Sequence, residues 1–343
     1  MLSIRSSRAE HRRKNMGEKL LEIKNLSVRY TADKVVSRAV NQVNLSIDKG
    51  EVLGLVGETG AGKTTTALSI LGLLPKYTST VEGEIIFDGE NLKGASEKKL
   101  RSIRGSRISM IFQDPMTSLN PVFRVGSQIA DVIRFHNRNI SHHEINQRVD
   151  NILSLVGIPP SRKNEYAHQF SGGMKQRVMI AIAIACNPDL LIADEPTTAL
   201  DVTIQAQVIK MMRGLQKEMG SSVMLITHDL GIVANFCDKV AIMYAGEIVE
   251  YGTLEDVFDK SRPHHPYTNG LFNSIPNITE RTKRLTPING LTPHPSELPD
   301  GCKFHPRCPK GSEYCQSGDN PSKYINGTHM IQCHQFDKGG AIL

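Results

Sequence analysis

A glycine-rich segment contains the residue types that bind phosphate groups. Residues 57–64 read GETGAGKT, which satisfies G-x-x-x-x-G-K-[ST], and they lie between the apolar run 51–56 (EVLGLV) and the helical pattern 64–74. Glycines let backbone N–H groups turn toward phosphates, and the following helix adds its positive end. We expect Lys63 to bridge the β- and γ-phosphates and the Thr64 hydroxyl to bind Mg²⁺. The predicted nucleotide-binding residues are Gly57, Glu58, Thr59, Gly60, Ala61, Gly62, Lys63, Thr64 and Thr65.

A second apolar run, residues 190–193 (LLIA), is followed by two adjacent carboxylates and a proline at 194–196 (DEP). Unpaired charge at the end of such a run is costly to bury, so a cation is the expected partner. Pro196 predicts an extended Glu195, which brings both acids to the carboxyl end of a strand, where open α/β sheets bind ligands. Because successive strand side chains point to opposite faces, we expect Asp194 to face Mg²⁺ and Glu195 to face the attacking water.

A third motif, residues 170–177 (FSGGMKQR), makes the chain resemble the ATP-binding-cassette (ABC) family. A Ser-Gly-Gly sequence at a helix start can bind an anion through its hydroxyl, its N–H groups and the helix dipole. The resemblance implies that Ser171, Gly172 and Gly173 contact the γ-phosphate of ATP held by a second subunit, in a head-to-tail dimer. Many family members read LSGGQ, whereas Phe170 and Met174 flank the motif here.

Further matches occur in the order typical of the ABC family. Gln113 resembles the glutamine that senses Mg²⁺ and the γ-phosphate, and Asp201 ends a TALD sequence similar to the D-loop. His228 resembles the histidine that contacts the γ-phosphate. Tyr30 is similar in position to the aromatic residue that stacks on adenine, although a place in the core would equally suit a tyrosine. The resemblance therefore implies catalytic roles for Glu195, His228 and Gln113, with Thr64, Gln113 and Asp194 holding Mg²⁺.

The carboxyl-terminal part resembles the tail of oligopeptide and dipeptide importer ATPases. The residues concerned are 264–271 (HHPYTNGL), 274–276 (SIP) and 301–309 (GCKFHPRCP), and the whole resemblance covers about residues 20–335. It implies a peripheral protein on the cytoplasmic face of the cell membrane. The implied partners are a second ATPase subunit, identical or related, two permease subunits and an extracytoplasmic substrate-binding protein. An importer of nickel or another small solute remains an alternative, as does a non-transport ABC ATPase acting on ribosomes or DNA.

Four cysteines cluster near the carboxyl terminus with the spacing C-x5-C-x6-C-x17-C, at Cys302, Cys308, Cys315 and Cys333. In a reducing cytosol such cysteines are better metal ligands than disulfide partners. The absence of a C-x2-C pair argues mildly against zinc, yet zinc with His305 or His334, or free thiols, remain alternatives. The importer resemblance implies a [4Fe–4S] cluster on the four cysteines. The two remaining cysteines, Cys186 and Cys237, lie in apolar surroundings and are expected in the core.

The spacing of apolar runs predicts an α/β protein, and the ABC resemblance implies the core of a phosphate-loop (RecA-like) ATPase. Near-continuous apolar strands separated by helical patterns, including residues 107–112 and 222–227, indicate a parallel sheet covered on both faces. Alternation at 20–30 and 81–89 predicts an antiparallel edge with a hairpin. Helical patterns at 148–156 and 173–185 predict a helical subdomain at about 114–187. The predicted organisation is a basic tail (1–19), a nucleotide-binding domain (20–260) and a Cys/Pro-rich extension (261–343).

Composition and charge limit the function classes. The chain has 343 residues with 41 basic and 35 acidic side chains, for a net charge of +6, part of it in a tail that we expect to be flexible. That modest charge lacks the basic face of a nucleic-acid binder, so no nucleic-acid partner is expected. The amino end has no secretion-type apolar stretch, and the longest apolar run, residues 178–186, is too short to span a bilayer. Met16 could be the true start, which would place residues 1–15 upstream of the native protein.

Overall fold

The structure is a computed structural model that describes residues 17–114, 118–198, 200–274, 287–316 and 323–336. The chain forms two compact units that interleave along the sequence. Within the described residues, the first unit comprises the chain up to Leu21, Ser46–Val52 and Ile86–Ile226. The second unit comprises Glu22–Leu45, Leu53–Ile85 and the chain from Thr227 onward.

The sheet of the first unit contains three parallel strands. Strand β6 (Ile108–Ile111) pairs with β7 (Leu190–Asp194), which pairs in turn with β8 (Ser222–Thr227). Every residue of β7 and β8 is buried. Burial of both faces explains why these strands read as near-continuous apolar runs, and it confirms the predicted α/β class.

Helices fill the described chain between β6 and β7, which contains no strand. They are α3 (Val125–His136), α4 (His142–Leu155) and α5 (Gly172–Ile184), and they confirm the helices predicted at 148–156 and 173–185. Helix α4 starts earlier than predicted because Ser141 caps it, accepting a hydrogen bond from the Glu144 N–H at 3.2 Å. The unit also contains α2 (Glu97–Ile103) and, after β7, α6 (Val202–Met219).

The second unit combines a parallel pair of strands with an antiparallel extension. Strand β3 (Val52–Val56) is parallel to β9 (Lys239–Tyr244), and β9 forms a hairpin with β10 (Glu247–Thr253). Two further strands, β12 (His329–Gln332) and β11 (Lys323–Asn326), continue antiparallel from β10. Sequence analysis missed them because the cysteine-rich segment is poor in aliphatic residues. The helices of this unit are α1 (Lys63–Leu71), α7 (Leu230–Phe236), α8 (Leu254–Phe258) and α9 (Pro266–Asn273).

The predicted antiparallel edge is present. Strands β2 (Val35–Asp48), β1 (Lys19–Ala32) and β4 (Ser79–Phe87) are neighbours in that order. Strand β4 turns at Asp88 and Gly89 into the short β5 (Glu90–Asn91), which forms the hairpin predicted at 81–89. Both turn residues have positive φ angles, as tight hairpins require.

Some expectations fall on residues outside the described part of the chain. They concern the basic tail up to residue 16, Ala199 of the TALD sequence, and Ile275 and Pro276 of the SIP sequence. Lys19, assigned to the tail, instead begins β1. In the part of the chain that the structure describes, no helix combines the length and apolar character that crossing a bilayer would need.

Candidate functional site

The phosphate loop connects β3 to α1, and two of its glycines are required by their surroundings. A Cβ atom added to Gly57 would lie 2.1 Å from the Met243 carbonyl oxygen, and one added to Gly62 would lie 2.4 Å from the Ala39 carbonyl oxygen. Gly62 also has a φ of +103°, where a side chain is strained. Glycine at these two positions therefore lets the backbone of the loop approach the neighbouring strands more closely than a residue with a Cβ atom could.

Lys63 begins α1 and lies against the loop that precedes it. Its side chain is buried, and Nζ donates hydrogen bonds to the carbonyl oxygens of Gly57 at 2.7 Å and Glu58 at 2.9 Å. Thr64, which is exposed, follows it in the first turn of α1. The arrangement places an ammonium group, a hydroxyl and a helix N-terminus together, as binding of phosphate and Mg²⁺ requires.

Glu58 makes contacts that its place in the motif did not predict. Its backbone N–H donates to the Tyr267 hydroxyl at 3.0 Å, and its carboxylate accepts hydrogen bonds from Thr292 at 2.6 Å and Arg307 at 2.7 Å. Burial opposes ionisation of Glu58, but the bonds from Arg307 and Thr292 outweigh it and lower the pKa of the carboxyl. No local pattern could have indicated these contacts, because the partners lie more than 200 residues away in the chain.

The two predicted carboxylates take different positions. Strand β7 ends at Asp194, which is 2% exposed. Glu195 has a φ of +45°, so the extended conformation predicted for it is wrong. The chain leaves the strand in a left-handed turn here, and the Glu195 N–H donates to the Ile226 carbonyl oxygen at 2.9 Å. This bond to the neighbouring strand outweighs the preference for extended backbone before proline.

Two other side chains of the first unit donate hydrogen bonds to the Glu195 carboxylate. One oxygen, Oε2, accepts hydrogen bonds from Gln113 Nε2 at 3.0 Å and from the Thr198 hydroxyl at 2.9 Å. Gln113 follows β6 and Thr198 follows β7, so parallel strands carry both groups to the same sheet edge. Sequence analysis assigned Gln113 to this site but gave Thr198 no role of its own.

The Ser-Gly-Gly motif forms the start of α5, as predicted. Ser171 is the N-cap residue and is exposed, and its side chain makes no capping bond to the helix. A Cβ atom on Gly173 would lie 2.6 Å from a methyl group of Ile204 in α6. Asp201 caps α6, where its carboxylate accepts a hydrogen bond from the Ile204 N–H at 2.9 Å. The helix start therefore presents a hydroxyl and N–H groups at the surface while Gly173 packs against α6.

The last two nucleotide-site predictions lie on the second unit. His228 directly follows β8 and is exposed, and Asp229 beside it caps α7. Tyr30 lies near the end of β1 and is half-buried. This partial exposure argues against a place for Tyr30 in the core.

The structure brings the four carboxyl-terminal cysteines together, and all are free thiols. In every one of the six pairs among them the sulfur atoms are close enough for one thiolate to raise the pKa of the other thiol, so each lies near the other three. Burial raises the pKa of Cys302 to about 11 and that of Cys333 to about 12. Of the two predicted core cysteines, Cys237 is buried, whereas Cys186 is only partly so.

A buried group of charged side chains joins β10 to the extension. Glu250 Oε1 accepts hydrogen bonds from His264 Nδ1 at 2.7 Å and His329 Nε2 at 2.8 Å, and Oε2 accepts one from the His265 N–H. Burial opposes ionisation of Glu250, but the bonds from His264 and His329 lower its pKa to about 2. Because His264 Nε2 lies 2.9 Å from the Asp259 carbonyl oxygen, both ring nitrogens face acceptors, an arrangement that favours the protonated ring.

Comparison with known families finds two matches in sequence. Residues 40–198 match the family described as ABC transporter, and residues 249–315 match the one described as oligopeptide/dipeptide transporter, C-terminal region. Among curated proteins, a probable peptide ABC transporter ATP-binding protein of Sinorhizobium fredii is 49% identical over 92% of this chain and 94% of its own. The dipeptide transport ATP-binding protein DppD of Bacillus subtilis is 46% identical over 94% and 96%.

Solved structures with similar folds are cassette ATPases. The dimeric, post-hydrolysis structure of the ATP-binding cassette MJ0796 bound to ADP and Pi has a TM-score of 0.62 and 28% identity, and the match covers 68% of this chain and 98% of that one. CbiO1 from Clostridium perfringens, part of the CbiONQ transporter complex, has a TM-score of 0.61 and 31% identity, with coverage of 71% and 92%. The fold of this chain is therefore that of the ABC ATPase cassette.

Proposed function

Since the chain belongs to the ATP-binding proteins of the ABC transporter family, we propose that it hydrolyses ATP to energise uptake of dipeptides or oligopeptides through separate permease subunits. The peptide assignment rests on the observation that sequence similarity to peptide transporters continues beyond the cassette. Residues 249–315 match the C-terminal region of oligopeptide and dipeptide transporters, and relatives named for peptide transport align over more than nine-tenths of the chain.

Hydrolysis is proposed to use the residues that the sequence motifs supply. The N–H groups of the phosphate loop and Lys63 bind the phosphates, and Glu195 orients a water molecule and accepts its proton as the bond to the leaving ADP breaks. Gln113 and Thr198 hold the Glu195 carboxylate through the bonds described above. His228 donates to the γ-phosphate, where negative charge develops. Thr64, Gln113 and Asp194 would hold Mg²⁺, which would supply positive charge to offset that of the phosphates.

Assembly is proposed to complete the site. Ser171, Gly172 and Gly173 would contact the γ-phosphate of ATP on a second ATPase subunit, with Asp201 near the same interface, and Tyr30 would stack on adenine. The dimeric structure of the similar cassette MJ0796 supports such a pairing. Two permease subunits and an extracytoplasmic substrate-binding protein would complete an importer whose ATPases lie at the cytoplasmic face of the membrane.

A test of this function measures transport in the assembled importer. The complex purified with its membrane subunits and reconstituted in vesicles is expected to take up peptide only when ATP is supplied on the ATPase side. Lys63→Ala should remove both ATP hydrolysis and uptake, because the phosphates lose their ammonium partner. Uptake of nickel but not of peptide by the complex, or copurification with ribosomes in place of permeases, would contradict the proposal.

The four clustered cysteines are proposed to hold a [4Fe–4S] cluster. Four thiolates on one zinc ion at about 2.3 Å would lie about 3.8 Å apart. Among the described residues, no three of the cysteine sulfur atoms all lie within 4.8 Å of one another. A cluster in which each cysteine binds a different iron atom suits that wider spacing better. Its role would be to cross-link a segment that has little core of its own.

Metal analysis tests the cluster directly. Protein purified without oxygen is expected to contain four iron atoms per chain and to absorb visible light, and Cys302→Ser should lose both properties. Cys186→Ser is the matched control and should retain the iron. One zinc ion per chain without iron, or no metal, would contradict the assignment.

A further inference from the structure

The phosphate loop is held from outside its motif by three segments that follow β10. Tyr267 accepts a hydrogen bond from the Glu58 N–H, and Thr292 donates one to the Glu58 carboxylate. Arg307 forms a bidentate pair with that carboxylate, with Nη1 to Oε2 at 2.7 Å and Nη2 to Oε1 at 3.1 Å. Both the backbone and the side chain of Glu58 are therefore fixed by residues that the nucleotide motif does not include.

The Arg307 side chain is itself held on several sides. Its Nε donates to the Asn289 carbonyl oxygen at 3.0 Å, and its guanidinium carbon lies 5.7 Å from the ring centroid of Tyr244. Tyr244 also packs against Phe304, with ring centroids 5.1 Å apart. The Arg307 side chain is only 6% exposed. A bidentate pair in such surroundings specifies geometry as well as contributing free energy, because both partners must lie in one plane.

Arg307 lies between two of the clustered cysteines. It belongs to a short 3-10 helix, His305–Arg307, that is joined to both neighbours by backbone hydrogen bonds. The His305 N–H donates to the Cys302 carbonyl oxygen at 3.0 Å, and the Cys308 N–H donates to that of His305 at 3.1 Å. Backbone hydrogen bonds therefore connect the turn that contains Arg307 to both cysteines.

We propose that residues 302–308 couple the cysteine site to the ATP site. Arg307 is a positioning residue that holds the phosphate loop through Glu58, and its own position depends on whether Cys302 and Cys308 are ligated. The inference rests on the proposed function, because it takes ATP as the ligand of the loop and a metal group as the ligand of the cysteines. Coupling of this kind is reciprocal, so bound nucleotide must also strengthen metal binding by the same factor.

The first test compares nucleotide affinity before and after metal removal. We expect that stripping the metal from the wild-type protein with EDTA weakens binding of a fluorescent ATP analogue by about 5-fold or more. In Arg307→Gln the affinity should already be lower and should no longer respond to stripping. In addition, ATP should slow metal loss to EDTA in the wild type but not in this variant. Equal affinity of stripped and loaded wild type, or a persistent metal response in Arg307→Gln, would overturn the proposal.

A double-mutant cycle tests whether Arg307 acts through Glu58. Glu58→Gln, Arg307→Gln and the double variant are expected to weaken nucleotide binding by similar factors, since each removes the same pair. Additive losses would overturn the proposed route. Arg29→Gln, which removes an exposed pair with Glu82, is the matched control and should leave affinity unchanged. Thermal midpoints of all variants establish that they are folded.

The Lys63→Ala variant separates this inference from the proposed function. If Lys63→Ala loses ATP binding while the Arg307 and Glu58 variants bind ATP as the wild type does, the ATPase assignment stands and the coupling is wrong. If Lys63→Ala still binds and hydrolyses ATP, the assignment of the loop itself is wrong.

Discussion

Glu195 adopts a positive φ angle, a backbone conformation that its residue type disfavours. A positive φ is uncommon for a side chain with a Cβ atom and costs about 1 kcal/mol or more. The bond from its N–H to Ile226 holds this conformation, and the carboxylate in turn accepts bonds from Gln113 and Thr198. The strained backbone therefore coincides with the residue that we expect to act as the general base.

Replacing Glu195 with glutamine should separate binding from hydrolysis. Glu195→Gln preserves size and hydrogen bonding but cannot accept a proton, so steady-state phosphate release should fall by about 100-fold or more while ATP affinity is retained. Phosphate release and nucleotide binding are measured on the assembled complex. Glu218→Gln, on the exposed part of α6, makes the same charge change and should have no effect. Undiminished turnover by Glu195→Gln would contradict the assigned role.

At the scale of elements, the phosphate loop depends on close backbone approach. Gly57→Ala would place a methyl group 2.1 Å from the Met243 carbonyl oxygen, so the loop must shift and its N–H groups with it. A shift of about 1 Å can weaken function by about 100-fold, and we expect a loss of ATP affinity approaching that size. Titration with a nucleotide analogue measures it.

The control for that variant is a glycine with open space around it. Gly214 lies within α6 and an added Cβ would meet nothing within 4 Å. Gly214→Ala should therefore raise stability by about 0.5–1 kcal/mol and leave ATP affinity unchanged. Equal ATP affinities of Gly57→Ala and Gly214→Ala would contradict the prediction that close backbone approach at Gly57 determines the conformation of the loop.

The buried group around Glu250 fixes the extension to strand β10. Glu250 lies on β10, His264 precedes α9 and His329 begins β12, so one carboxylate joins three elements. Burial lowers the tendency of His264 to carry charge, but its bond to Glu250 outweighs burial and raises its pKa above 6.5. His264 therefore stabilises the fold fully below about pH 6.5, and this contribution is lost as the pH rises through the raised folded-state pKa.

The stabilisation by His264 should depend on pH in a defined direction. His264→Gln is expected to lower stability by about 3 kcal/mol at pH 6, since it leaves a buried carboxylate without its charged partner, and by less at pH 9. Thermal midpoints of variant and wild type at both pH values give the difference. His143→Gln, at an exposed position, should show no such change. A difference that grows toward pH 9 would contradict a protonated His264.

For the whole molecule, the proposed dimer predicts that the surface at Ser171 binds ATP held by a partner. Ser171→Glu places a carboxylate where a phosphate is expected, so repulsion should prevent association while leaving the ATP affinity of the single subunit intact. The variant is tested in a Glu195→Gln background with Mg²⁺ and ATP, with the membrane subunits supplied, by measuring molecular mass in solution. Ser161→Glu, at another exposed position, should associate normally. Equal association of both variants would contradict the dimer.

The sequence alone determined the features that depend on neighbouring residues. The sequence predicts the phosphate loop, the two carboxylates at the end of β7, the helix start at Ser171 and the buried parallel strands. These features follow from motif spacing and apolar periodicity, because local backbone conformation and burial of both sheet faces leave direct patterns in the sequence. The sequence also predicts a metal site at the four cysteines, although their spacing did not decide between iron–sulfur and zinc.

Only the tertiary structure decided the features that join distant parts of the chain. The pair between Glu58 and Arg307 spans 249 residues, and the bond between Gln113 and Glu195 spans 82. Strands β11 and β12 were not predicted because pairing, of β12 with β10 and of β11 with β12, stabilises them more than their own composition does. Such contacts depend on how helices and strands pack against one another. Packing contributes free energy only after the chain has brought the distant partners together. A local pattern of residues therefore does not indicate which distant residues will be in contact.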